Sequence, residues 1–188
     1  MEWHDHKKLA GSHAFLGASK YSWLNYDEDK LKFTFTNWEA KQRGNEMHAH
    51  AAADILFGEK YGIKRPQTKT TYNMYVNDAI GFRMVPEQVL YFSEFAYGTC
   101  DAISFHKRVL RIHDLKTGVT PAHIEQLRIY AALFCLEYHK QPTDLGMELR
   151  IYQSNEILVH VPQGDAIKAI MQKIIRFDEQ IEKLRMEE

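Results

Sequence analysis

The spacing of apolar and polar residues alternates between helical and extended patterns along the chain. Residues 38–58 place Met47, Ala51, Ile55 and Leu56 at helical intervals and stop at Gly58, which predicts an amphipathic helix. A short helix is expected around Ser19–Leu24, and a second over Tyr72–Phe82. Residues 59–70 between them read as a basic loop. Val, Ile, Phe and Tyr then crowd three segments, about 88–96, 99–105 and 109–115. These predict successive strands with turns at Gly98-Thr99 and His106-Lys107. Thr120-Pro121 predicts a helix start, Thr as N-cap and Pro in the first turn. Ile124, Leu127, Ala131, Phe134 and Tyr138 form its inward stripe, and Gln141-Pro142 its end. Segments 147–153 and 156–161 form a hairpin around Ser154-Asn155. A helix over about 164–185 follows, with Ile167, Ile170, Met171, Ile174, Phe177, Ile181 and Leu184 on one face.

Three strands, a helix and two more strands imply an α/β fold of the α+β kind. Its centre is a mixed β-sheet flanked by helices, because a strand–helix–strand step after an antiparallel meander adds a parallel pair. The 188 residues suit a single domain, with a core at about 37–162 and the C-terminal helix beyond it. The sequence contains no apolar run long enough for a membrane span, and residues 1–6 lack signal-peptide form. A cytoplasmic protein with no membrane partner is expected. Two cysteines, Cys100 and Cys135, are too few for an iron–sulfur cluster or a four-cysteine zinc site. Ten histidines are scattered, and none lies in the His-Glu-x-x-His form of a zinc hydrolase. A net charge of −1 means that any nucleic-acid surface must be local. Two basic clusters qualify: Lys60, Lys64, Arg65 and Lys69, and Lys107, Arg108, Arg111 and Lys116.

Asp101 and Asp114 lie on strands expected to be neighbours, so a hairpin brings them together. Two adjacent carboxylates repel unless a divalent cation lies between them, and their hard oxygens suit Mg2+ or Mn2+, as one or two ions. Lys116 is two residues past Asp114 and shares its strand face, which sets an ammonium beside the metal to orient attacking water. The Leu115 carbonyl offers a further oxygen, and Gly118 lets the backbone turn away. An isolated Asp-x-Lys is ordinarily a surface ion pair. Here the apolar approach Val109, Leu110 and Ile112 and the second aspartate favour a catalytic group. Glu94, on the preceding strand, reads first as an exposed strand charge and second as an added ligand.

Asp101, then Asp114-Leu115-Lys116, then Gln126-Leu127-Arg128-Ile129-Tyr130 resembles the PD-(D/E)XK nucleases, especially the RecB-like and lambda-exonuclease-like branches. The resemblance spans about 14–153 and is most specific over 98–130. It implies a restriction-endonuclease-like core, with Asp101, Asp114 and Lys116 catalytic. Gln126 and Tyr130, on one helical face with His123, would touch the DNA strand. Arg43-Gly44-Asn45-Glu46-Met47-His48 is similar to the family's first-helix motif. This implies His48 as a metal ligand with Glu46 as runner-up, and leaves His50 aside. Leu16-Gly17-Ala18-Ser19-Lys20 resembles a phosphate-contacting segment, implying that Ser19 meets DNA. Arg108, Arg111 and Lys20 would neutralise flanking phosphates.

By analogy with free-standing relatives of this size, the expectation is a phage-type exonuclease acting on DNA ends in recombination or DNA processing, in a bacterial or phage-infected cell. The analogy leaves open a homo-oligomer, a recombination partner protein, a structure-specific endonuclease, and a catalytically silent DNA- or protein-binding module.

Overall fold

A computed structural model describes residues 7–9, 13–62 and 70–187. Lys64, Arg65 and Lys69 of the first basic cluster lie outside the described residues, as do His4 and His6. The chain divides into two compact units, 1–45 and 46–188.

In the first unit, a 3-10 helix covers Ala18–Asn25. Gly17 takes its N-cap position, and the Gly17 carbonyl accepts from Trp23 Nε1 at 3.1 Å. Phe15, Phe35 and Trp38 form an aromatic cluster, with ring centroids 5.3 to 5.8 Å apart. Helix α1 (Glu28–Phe57) begins ten residues before the expected 38, passes from the first unit into the second after Asn45, so that His48 belongs to the second, and stops before Gly58. With a φ of +73°, Gly58 occupies the left-handed conformation that commonly stops a helix.

The second unit contains the sheet. Helix α2 (Thr71–Gly81) is capped by the Thr70 side chain, which accepts from the Asn73 N–H. Strands β1 (Val85–Ser93), β2 (Ala96–His106) and β3 (Val109–Leu115) form the meander. Helix α3 (Glu125–Glu137), strands β4 (Gly146–Gln153) and β5 (Glu156–His160), and helix α4 (Gly164–Met186) follow. The sheet order is β1-β2-β3-β4-β5, and every pair is antiparallel except the parallel β3–β4. The expected mixed sheet flanked by helices is therefore observed.

Several local expectations are corrected. The β1–β2 turn is at Glu94-Phe95, and Gly98 lies inside β2. The β2–β3 turn uses Lys107 and Arg108, both at positive φ. Helix α3 starts after Ile124, so Thr120 does not cap it and Pro121 is not in its first turn. The Gln153 side chain instead holds this loop: its Nε2 donates to the Gly118 and Thr120 carbonyls, and its Oε1 accepts from the Ala122 N–H. Helix α3 ends at Glu137, before Gln141-Pro142, and Pro142 opens a 3-10 turn of its own. Gly118 has no positive φ, and a side chain there would meet nothing within 4 Å.

Side-chain alternation on β3 divides two cores. Leu110 and Ile112 pack with Leu127, Ala131 and Phe134 of α3 and Ile167 of α4. Leu115 packs with Tyr152, Ala102, Val76 and Ile55 on the opposite face. His113 is fully buried on that second face. Its Nδ1 meets the Tyr152 hydroxyl at 3.2 Å, and the Phe82 ring abuts it edge-on. Burial, reinforced by Arg150 and Arg111, pushes the His113 pKa down to about 3.

The folded state therefore holds His113 neutral, while the unfolded chain takes up a proton below about pH 6.5. Stability is unaffected above that pH and is lost as pH falls toward 3, at a slope approaching about 1.4 kcal/mol per pH unit. The expected outcome is a shallower acid-side loss of unfolding free energy in His113→Phe than in the wild type. Equal slopes in denaturant titrations from pH 7 to pH 4 would refute it.

Candidate metal centre and its lysine

The antiparallel ladder between β2 and β3 ends at Ala102↔His113. One step further along that register, Asp101 stands opposite Asp114. Here the ladder is replaced by a side-chain bond: the Leu115 N–H donates to Asp101 Oδ2 at 2.8 Å. On the other side of β2, Pro86↔Ala102 and Gln88↔Cys100 bracket Glu87 opposite Asp101. Glu87 adopts a φ of +50°, an uncommon conformation for a residue with a Cβ. Glu87, Asp101 and Asp114 thus occupy matching positions on three adjacent strands.

His48, in the last third of α1, brings its Nδ1 to 3.3 Å from Asp101 Oδ2. Ligand atoms of His48, Glu87 and Asp101 all lie within 4.8 Å of one another, as holding one metal ion requires. The hydrogen bond to Asp101 raises the His48 pKa against the opposing effect of burial. Burial raises that of Glu87, and the Asp101 charge adds to it. The expected ligand set was His48, Asp101, Asp114 and the Leu115 carbonyl; among the described residues the gathered group keeps His48 and Asp101, adds Glu87 and does not include Asp114. With β1 expected to begin at 88, Glu87 fell outside the strand. Only the β1–β2 register reveals its position.

Asp114 is almost completely buried, and among the described residues its Oδ2 has no hydrogen-bond partner. Burial raises its pKa, as does the Asp101 charge, while the Lys116 ammonium opposes both. A buried carboxylate oxygen without a donor is costly unless a cation compensates it. The orphaned oxygen and the carboxylate–imidazole set beside it fit a divalent ion such as Mg2+ or Mn2+.

Lys116 Nζ donates to Asp114 Oδ1 at 2.9 Å and to Gln126 Oε1 at 3.0 Å, and Gln126 Nε2 donates to the Tyr130 hydroxyl at 3.2 Å. Asp114, Lys116, Gln126 and Tyr130 therefore form one hydrogen-bonded run from β3 to α3. The Tyr130 ring lies on Gly98 of β2: a Cβ at Gly98 would be 2.9 Å from Tyr130 Cε1. Close approach of an aromatic ring, not a turn, accounts for that glycine. The Lys116 N–H donates to the Tyr152 carbonyl, extending the β3–β4 pairing past Leu115 and fixing where Leu115 turns its own carbonyl.

Two of the other candidates, Arg111 and Arg108, lie elsewhere in the second unit. Arg111 is on the opposite face of β3 from Asp114, 3.5 Å from Glu148 and over the Phe82 ring. Arg108 is at the far end of β3, about 20 Å from Asp114 at about 3.3 Å per residue. It donates to the Asp144 carbonyl. Neither arginine gathers with the acidic group. Ser19 and Lys20 belong to the first unit, and both are exposed. Glu46 and His50 are exposed on α1, and His123 precedes α3 instead of joining Gln126 on it. Glu94 pairs with Arg185 of α4.

No protein-family model matches this chain, and no curated protein matches it.

Two outcomes test this geometry. Mn2+ at about 100 times its Kd should stabilise the wild type by about 2.7 kcal/mol in thermal unfolding. Asp101→Asn should lose most of that gain, and an equal gain in both proteins would remove the metal site. Gly98→Ala should cost about 1–3 kcal/mol by overpacking against Tyr130. Adding Tyr130→Ala should recover part of that cost, so strict additivity in the double variant would contradict the contact.

Proposed function

We propose that this protein is a divalent-metal-dependent DNA nuclease of the PD-(D/E)XK kind, hydrolysing phosphodiester bonds and acting as an exonuclease on DNA ends. The observation that carries the reading is the hydrogen-bonded run Asp114–Lys116–Gln126–Tyr130 beside the His48, Glu87 and Asp101 trio. A salt bridge that served only the fold would not need an amine shared with a glutamine, or three further ligand groups on neighbouring elements.

In this reading His48, Glu87, Asp101 and Asp114 hold Mg2+ or Mn2+, with the Leu115 carbonyl as an added oxygen. When bound, the ion supplies Lewis-acid polarisation of a phosphoryl oxygen and acidifies water. Lys116 has three N–H donors, and Asp114 and Gln126 accept from two of them. The third orients the water that attacks phosphorus, while the ammonium charge offsets negative charge developing on the phosphate. Gln126 fixes the height of that ammonium. Tyr130, half-buried behind Gln126, braces it and presents a hydroxyl to the strand. Among the described residues no helix is long and apolar enough to cross a membrane.

Lys116→Ala should reduce Mg2+-dependent cleavage of linear DNA by at least about a hundredfold while Mn2+ binding persists. Asp114→Ala should abolish cleavage. The assay compares linear, nicked and closed circular DNA with Mg2+, Mn2+ or EDTA. Loss of linear DNA alone supports end-directed digestion, and cleavage of closed circles reassigns the protein as an endonuclease. Binding without cleavage under any metal would make it a silent nuclease-fold module.

A further inference from the structure

The two edges of the sheet are built differently. An edge strand exposes unpaired N–H and C=O groups, and proteins ordinarily blunt that edge. On β1, Pro86 lacks a donor, Glu87 kinks the backbone at positive φ, and the Tyr91 N–H is taken by Glu137 Oε2 of α3 at 2.9 Å. Strand β5 has no such device. It reads Glu156-Ile157-Leu158-Val159-His160, without proline or lysine, and among the described residues its hydrogen-bonded neighbour is β4 alone. Its apolar side chains are exposed on both faces, Leu158 to 54% and Val161 just beyond to 64%.

The hairpin settles which backbone groups are free. Ser154 and Asn155, both at positive φ, form the two-residue turn, and Gln153↔Glu156 is the pair that closes it. In such a hairpin the closing pair exchanges both backbone hydrogen bonds, and hydrogen-bonded pairs then alternate along the ladder. Glu156, Leu158 and His160 therefore direct their N–H and C=O toward β4. Those of Ile157 and Val159 point out of the sheet.

We propose that β5 pairs with β5 of a second copy of this chain, antiparallel and centred on Leu158, joining two five-stranded sheets across a two-fold axis. A two-fold pair of identical strands is antiparallel. The outward phase of Ile157 and Val159 permits centres at Ile157, Leu158 or Val159 only. Centring on Leu158 pairs Ile157 with Val159 of the second copy through hydrogen bonds and places Leu158 against its own equivalent. It also sets Glu156 opposite His160, twice per dimer, whereas either other centre leaves Glu156 facing an apolar residue or Pro162. The imidazole is prepared for that role: its Nε2 accepts from Arg128 Nε at 3.2 Å, which puts the proton on Nδ1 as a donor. Arg128 adds positive charge on the same side.

Sedimentation of the full chain should give twice the 22.0 kDa chain mass in the micromolar range. A monomer throughout that range overturns the proposal. Val159→Pro removes an outward N–H that β4 does not use, so it should yield a folded monomer by circular dichroism and sedimentation. A folded dimer in that variant overturns the proposal. Glu156→Lys should weaken the dimer roughly tenfold, and adding His160→Glu should restore it. Should Val159→Pro fail to fold, cysteine scanning decides independently. Cys100 and Cys135 are buried and will not interfere. Leu158→Cys faces itself in a non-hydrogen-bonded pair and should give a disulfide-linked dimer under mild oxidation, while Val159→Cys should not. The reverse pattern rejects this register. None of these outcomes depends on the nuclease reading.

Discussion

The antiparallel register of β2 against β3 is the constraint on which the candidate centre depends. Ala102 opposite His113 places Asp101 opposite Asp114, and the Asp101 carboxylate then takes the Leu115 N–H in place of a ladder bond. One side chain thereby ends the strand pairing and anchors the site. Because Asp101 Oδ2 also faces His48, the same oxygen ties the second-unit segment of α1 to the sheet end. A slip of one residue would send Asp101 into the core formed by Leu115 and Tyr152, where a carboxylate has no partner.

Electrostatics divides the two faces of β3. On one face, carboxylates accumulate, and burial together with mutual repulsion raises the pKa of Asp114. On the other, cations accumulate. Arg111 and Arg150 flank the Phe82 ring, with Glu148 paired to both and Asp78 to Arg150. His113 between them is kept neutral by burial. On the cationic face the carboxylates of Glu148 and Asp78 balance the two guanidinium charges. Among the described residues, unpartnered buried atoms occur on both faces, Arg111 Nε and His113 Nε2 on one and Asp114 Oδ2 on the other. What sets the acidic face apart is that its unpartnered atom belongs to a carboxylate beside further carboxylates, which a cation compensates.

Helix α3 supplies the counterpart to the strands. Its buried stripe seats on Leu110 and Ile112, and the same docking brings Gln126 to Lys116 and Tyr130 onto Gly98. The late start of α3 follows from Gln153, which holds the preceding loop by three hydrogen bonds that helical backbone at Thr120 would forgo. Tertiary bonding outweighs the local preference of Thr-Pro for a helix start.

Local periodicity alone determined the element order, the mixed sheet and the shared face of Asp114 and Lys116, because those follow from 3.6- and 2-residue repeats. The helical spacing of Gln126 and Tyr130 was likewise legible. Tertiary structure decided what depends on pairing between distant segments. Glu87 enters the acidic row only through the β1–β2 register, and Gly98 is explained only by a ring 32 positions away. The separation of Arg111 and Arg108 from the acidic group required knowing which face and which end of β3 carries each residue. A sequence records the period of a strand, whereas the partner opposite each residue is set by the packing of the whole sheet.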